Sequence, residues 1–106
     1  MNNYNEYEDL KEKVLIWAED KGILSKEFAP KQFMKFIEES GELSRNILKG
    51  NDCKDDFGDV LVTLIILSEQ LGYDLVDCLE VAYDEIKNRK GATVNGVFVK
   101  QTPTKE

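Results

Sequence analysis

Two short acidic clusters hold the residues whose types and spacing suit chemistry: Glu38-Glu39-Ser40-Gly41-Glu42 and Asp55-Asp56-Phe57-Gly58-Asp59. Glu39 and Glu42 are three residues apart, as are Asp56 and Asp59, so on helices each pair shares one side with Cβ atoms ~5–6 Å apart. A reversal at Gly50 folds the second segment back along the first and lets four carboxylates converge. Hard divalent cations take such oxygen donors, with waters and substrate phosphates completing the shell. Mg²⁺ is the expected ion, and Mn²⁺, which shares the preference for oxygen, a possible substitute. A plainer account competes with this one. Glu38 and Glu42 lie nearly opposite the apolar side of their helix, where a solvated face explains them, and Asp52, Asp55 and Asp56 suit the positive end of a helix dipole. Two features favour the cation. Glu38 and Glu42 form a like-charge i, i+4 pair, and Asp56 and Asp59 continue by helical steps into Val60, Thr63 and Leu67, where buried carboxylates need partners.

Composition removes the main rivals. The chain has no histidine, which excludes Ser-His-Asp and Cys-His catalysis, His-ligated zinc and the Glu-x-x-His di-iron motif. Cys53 and Cys78 are too few for a disulfide framework. An EF-hand loop opening at Asp52 requires Gly and Glu where Phe57 and Thr63 stand. No GxxxxGK[ST] or GxGxxG cradle occurs, and Asp56-Phe57-Gly58 lacks the rest of the kinase set. With 14 Lys+Arg against 21 Asp+Glu in 106 residues, the net charge of −7 argues against gripping nucleic acid or anionic lipid. It leaves open a phosphate ligand that arrives with its own cation. The longest apolar stretch, Val60 to Leu67, is broken by Thr63 and is far short of the ~20 residues that cross a bilayer. The polar, acidic N-terminus lacks a signal-peptide layout, so a cytoplasmic protein without membrane partners is expected.

The elements that must position the acids follow from apolar spacing. Tyr7, Leu10, Val14, Trp17 and Ala18 predict a first helix from Tyr4 to Lys21, ended by Gly22. Pro30 opens a second that runs to Lys49, with Phe33, Phe36, Ile37, Leu43, Ile47 and Leu48 along one side. After Gly50, Asp52 is the candidate N-cap of a third helix, Lys54 to Leu71, apolar nearly all round in its second half and therefore central. Gly72 closes it, and Asp74 caps a fourth that runs to Lys90. Asn95-Gly96 between β-branched and aromatic residues predicts a type I′ hairpin over residues 93–100, with residues 101–106 frayed. The expected fold is all-α: an antiparallel bundle of about four helices with a short C-terminal β-hairpin, one domain over residues 1–106.

EESGE, a thirteen-residue spacer and DFGD resemble the EExxE…ExxD signature of MazG-like nucleoside triphosphate pyrophosphohydrolases, within the all-α NTP pyrophosphatase superfamily. The similarity takes in Pro30-Lys31-Gln32 and Lys35, the apolar third helix, the stretch Ile86 to Gly91 and Asn95-Gly96-Val97-Phe98, covering roughly residues 30–100. The family has Glu where Asp56 stands, so this arm is one methylene shorter. The resemblance implies Glu39, Glu42, Asp56 and Asp59 as Mg²⁺ ligands, with Glu38 as a further ligand or water-orienting base. It makes Lys87, Arg89 and Lys90 candidate phosphate clamps, although cations also suit a helix C-terminus. Lys35 is a candidate substrate contact or an intrahelical partner of the acids, and Trp17 a candidate base-stacking residue or a core side chain. Water attack on the α-phosphorus would yield nucleoside monophosphate and pyrophosphate. A homodimer or homotetramer is expected. The alternatives are a pyrophosphatase of the same fold restricted to dUTP or dCTP, and a non-catalytic helical module that binds a nucleotide or a protein.

Overall fold

A computed structural model describes residues 5–101. They are mostly helical: α1 (Glu6–Asp20), a 3₁₀ turn (Lys26–Phe28), α2 (Ala29–Lys49), α3 (Lys54–Gln70), α4 (Leu75–Ile86) and an antiparallel hairpin of β1 (Gly91–Val94) and β2 (Val97–Lys100). No helix among them is long and apolar enough to cross a membrane. The chain divides into two compact units, Met1–Asp74 and Leu75–Glu106.

Within the first unit, α1, α2 and α3 all stop in the same way. Gly22, Gly50 and Gly72 adopt φ of 72°, 72° and 80°. At each the next residue's N–H reaches back into the helix: Ile23 to Ala18, Asn51 to Asn46, and Tyr73 to Ser68, at 3.0, 3.0 and 2.8 Å. This left-handed closure satisfies carbonyls that the helix leaves open, and it favours glycine because no Cβ crowds the turn. The starts are less uniform. The Asn5 side chain caps α1 by accepting from the Glu8 N–H at 3.1 Å. The Asp52 carboxylate accepts from the Lys54 N–H at 3.1 Å, one residue ahead of the position at which Cys53 enters α3. The expected start at Tyr4 lies outside the described residues.

Two long-range side-chain bonds fix α2 antiparallel to α3. Gln32 Nε2, near the start of α2, donates to the Thr63 carbonyl at 3.3 Å, and Asn46 Nδ2, near its end, donates to Asp56 Oδ2 at 2.9 Å. α1 meets α3 at its other end: Gln70 Nε2 donates to the Ile23 carbonyl at 2.9 Å, and Lys11 reaches Asp74 at 4.0 Å. The third helix is central, as its composition predicts, supplying Thr63, Ile65, Ile66 and Gln70 to a small core completed by Ala18 and Ala29. The apolar side of α2 departs from expectation. Phe36 and Leu43 are half-buried, but Phe33, Ile37, Ile47 and Leu48 are exposed, Leu48 at 83%. The half-buried positions of α2 mix polar and apolar residues, Gln32, Phe36, Glu39, Glu42, Leu43 and Asn46 among them, and Gln32 and Asn46 supply the side-chain bonds to α3 given above.

The second unit corrects the extent of the fourth helix. α4 ends at Ile86, so Lys87, Arg89 and Lys90 lie beyond it rather than within it. The Arg89 N–H turns back to the Ile86 carbonyl at 2.9 Å, and the Lys90 carbonyl accepts from Gln101 at 2.7 Å, drawing the segment into the hairpin. The ladder pairs Gly91 with Lys100 and Val94 with Val97, two residues earlier than the apolar pattern suggests. Asn95 and Gly96, at φ of 51° and 80°, form the type I′ turn that the Asn-Gly pair predicts. Residues 102–106 of the expected frayed tail lie outside the described residues.

Gly91 shows why β1 begins where it does. A Cβ there would strike the Val99 carbonyl and come within 2.6 Å of Phe98 Cζ, so the Phe98 ring packs against bare backbone. Gly91→Ala is expected to cost about 1–3 kcal/mol of hairpin stability by overpacking. Hydrogen exchange should read this as faster exchange across β1 and β2 with α1–α3 unchanged; protection equal to wild type would show that the contact is not close.

Candidate functional site

The acids sit where α2 and α3 face each other. Glu39 and Glu42 follow Gln32 on the stripe of α2 that turns towards α3, and Asp56 and Asp59 precede Thr63 on the facing stripe of α3. All four are half-buried. Their proximity is legible in their proton affinities. Glu39 is held above the ordinary glutamate range, first by loss of solvation, then by the charges of Glu42 and Asp59, with Lys35 pulling the other way. Asp59 is raised by loss of solvation and then by Asp55, Asp56 and Glu42. Like charges in a partly dry groove favour the protonated forms. The seam therefore carries unrelieved negative charge drawn from both helices.

Asp56 is held differently, since the Asn46 amide donates to its Oδ2 at 2.9 Å. Asn46 in turn accepts from Asn51 Nδ2 at 3.1 Å, which ties the acid to the α2–α3 turn. Among the described residues, no group of three or more acidic or cysteine side chains stands ready to hold a metal ion. The donor set nonetheless fits a hard cation in kind: oxygen atoms only, carboxylates from two facing helices, and mutual repulsion that a divalent ion would relieve.

No family model matches the chain, and no solved structure matches it. An uncharacterized 18.2 kDa protein from the rep-hol intergenic region of Haemophilus phage HP1 is 39% identical over 62 residues, which is 57% of this chain and 38% of that protein. The chain thus spans less than two-fifths of that relative's length, and the similarity brings no activity with it.

The remaining candidates fall into separate places. Glu38 is exposed and lies 3.8 Å from Lys35 Nζ, so these two meet each other on the outer side of α2. Both are more than half exposed, and such a pair contributes little. Trp17 is 51% exposed on α1, which meets α3 at the end away from Asp56 and Asp59. Lys87 bonds to Asp84 Oδ1 at 3.0 Å. Arg89 and Lys90 border a concavity in the second unit together with Lys100. Cys53 donates weakly to the Asn51 carbonyl at 3.3 Å, and Cys78 is exposed; both are free thiols. Asn46, which follows Glu39 and Glu42 by steps of three and four on one stripe, shapes the seam but carries no sequence signal of its own, while Asp55, expected as a helix-dipole partner, also adds its charge at Asp59. Extending the acidic stripe by one helical step would have found Asn46.

The raised proton affinities predict an inverted acid response. Glu39 and Asp59 bind protons more readily folded than unfolded, so the folded state gains stability as pH falls through their raised values. The gain is complete below their ordinary unfolded values. Melting in chelator should give a Tm that rises on mild acidification from neutrality, and Glu39→Gln should flatten that rise. A Tm with no such rise, or one that Glu39→Gln leaves untouched, would show that the seam is not strained.

Proposed function

We propose that the chain is a Mg²⁺-dependent nucleoside triphosphate pyrophosphohydrolase of the MazG-like kind, acting in the cytoplasm on the nucleotide pool. The observation that carries the reading is the seam: Glu39 on α2 and Asp59 on α3 are each made costlier to ionise by acids of both helices, Glu42 among them, across a helix pair that amide bonds hold in register. The EESGE…DFGD spacing supplies those same residues, and the MazG-like reading brings with it the antiparallel four-helix bundle. In this reading Glu39, Glu42 and Asp59 hold the ion, and Asp56 joins through the oxygen that Asn46 does not engage or through water. Bound Mg²⁺, or Mn²⁺ in its place, would neutralise charge on the triphosphate. The chain's own task is to hold the carboxylates along the seam, where a bound divalent ion would offset their repulsion and favour the ionised forms. The resemblance supplies the remaining roles: Glu38 would orient water or take its proton, Arg89 and Lys90 would meet phosphate oxygens, and Trp17 would offer its exposed ring to a base. A non-catalytic nucleotide- or protein-binding module is the second reading, favoured by the Asn46–Asp56 bond and by the lack of a ready metal-holding group among the described residues.

Glu42→Gln separates the two. It removes one charge at nearly constant shape, so an enzyme should lose at least about a hundredfold in turnover, its Mg²⁺-induced rise in Tm should shrink, and its metal-free fold should be equally or more stable. Wild-type products should be monophosphate and pyrophosphate. Diphosphate with orthophosphate, or normal turnover and Mg²⁺ response in the variant, would refute the assignment.

A homodimer or homotetramer belongs to the same proposal. Leu10, Ile16 and Trp17 on α1, and Phe33, Met34, Ile37 and Leu48 on α2, are exposed beside a core of few large side chains. Small domains gain stability by covering such surface. Light scattering at micromolar concentration should give a multiple of the 12.1 kDa chain mass, and a monomer mass would exclude assembly through these faces.

A further inference from the structure

Asn95 alone among the asparagines of this chain is followed by glycine. An asparagine so placed can react with its own backbone, the next amide nitrogen attacking its Cγ, and glycine offers that nitrogen with no Cβ to crowd it. The structure leaves the pair open. Asn95 and Gly96 are exposed at the tip of the hairpin, and nothing lies within 4 Å of where a Cβ on Gly96 would stand. The other described asparagines are placed differently. Asn5 caps α1, Asn46 is bonded to Asp56 and Asn51, and Asn51 and Asn88 precede Asp52 and Arg89.

The backbone is set for the same reaction. Asn95 and Gly96 hold φ of 51° and 80°, the signs of a type I′ turn. Closing a five-membered ring brings the Gly96 nitrogen into plane with Asn95 Cβ and Cγ. For an L residue this turns the Asn95–Gly96 peptide over while φ at Asn95 stays positive. A two-residue loop with positive φ at its first position alone is the type II′ turn, the other one that hairpins accept. Gly96 takes the negative φ this requires without steric cost. The ring therefore fits the loop without unpairing Val94 from Val97.

We infer that Asn95–Gly96 is a self-modifying site, which sets a limit on the lifetime of the hairpin. The Gly96 nitrogen bonds to Asn95 Cγ, its proton passes through water to Nδ2, and the Cγ–Nδ2 bond breaks. Ammonia leaves and a succinimide remains. Water then opens the ring on either side, with no change of oxidation state. Breaking the bond between Cγ and nitrogen gives aspartate in a normal chain. Breaking the bond between the main-chain carbonyl carbon and nitrogen gives isoaspartate, whose chain runs on through Cγ and is one atom longer.

The two products act differently on the fold. Aspartate tolerates positive φ much as asparagine does and keeps the turn. Isoaspartate lengthens a loop of two residues, so Val94 and Val97 no longer close it in register. The hairpin has little with which to resist. Its two four-residue strands are exposed throughout and pair only with each other, and a lone two-stranded pair is marginal in water. Unzipping from the tip reaches Phe98 and its packing on Gly91.

The test follows the full chain through warm incubation at mildly alkaline pH. Cleavage after Lys90 and Lys100 yields a peptide in which mass reads the loss of the Asn95 amide. Methylation by an isoaspartyl methyltransferase reads the isomer. Asn95 should be lost at least about tenfold faster than Asn51 or Asn88, with isoaspartate among the products. The isoaspartate form, resolved by ion exchange, should show faster hydrogen exchange across β1 and β2 with α1–α3 unchanged. Asn95→Asp should keep the slow exchange of the unmodified chain. Asn95→Gln, whose ring would be one atom larger, should not age at this position, whatever it does to the turn. Loss of Asn95 no faster than that of Asn51 or Asn88 overturns the site. An isoaspartate form whose hairpin exchanges as slowly as the unmodified chain overturns the limit on its lifetime.

Discussion

Packing carboxylates against carboxylates between α2 and α3 is the constraint on which the first unit turns. Like charges in a half-dry groove oppose the approach of the two helices, so other interactions must hold them together. Gln32 and Asn46 do so from the two ends, each spending a neutral amide on the facing helix. Asn46 also spreads part of one acid's charge through a hydrogen bond, and the Asn51 amide extends that chain into the turn. Between those pins Glu39 and Asp59 have no comparable relief from each other and from the charge of Glu42, and their raised proton affinities are the result. A structure that needed these acids only as a solvated face would have turned them outward, as it does Glu38.

The core explains why the seam survives. Ile65 and Ile66 anchor α3 centrally, and Ala18 and Ala29 let neighbouring segments approach closely. Thr63 and Gln70 are buried with their polar groups bonded to backbone, at the Val60 and Ile23 carbonyls. Gln70 Oε1 alone among the buried side-chain polar atoms described lacks a partner, a cost that a water could relieve. A core with so few large side chains leaves little stability to offset electrostatic strain. Protons, a cation or a covering subunit would therefore change the folded population more than they would in a larger domain.

Local signals made most of this architecture legible in the sequence. Gly22, Gly50 and Gly72 announce helix ends because the closing turn needs positive φ, and Asn95-Gly96 announces its hairpin for the same reason. The paired acids could be placed on facing helices because a short reversal at Gly50 leaves one arrangement open. What could not be read was tertiary. Phe33, Ile37, Ile47 and Leu48 have the spacing of a buried face, yet they are exposed, while Phe36 and Leu43 are half-buried along with Gln32 and Asn46. The end of α4 was hidden too, since Lys87, Arg89 and Lys90 are good helix formers, and the bond from Gln101 to the Lys90 carbonyl with the Gly91–Lys100 pairing shows where the hairpin begins.

The net charge of −7 lies in the first unit, whose sequence holds 16 Asp+Glu against 9 Lys+Arg, whereas the second is balanced at five of each. Within the first unit the cation beside the seam, Lys35, lies at 3.8 Å from exposed Glu38 and is itself more than half exposed, so water weakens its pull. The half-buried acids between α2 and α3 are screened less than acids on an open face. The seam is therefore where added protons or counter-ions would lower the charge cost of the first unit most.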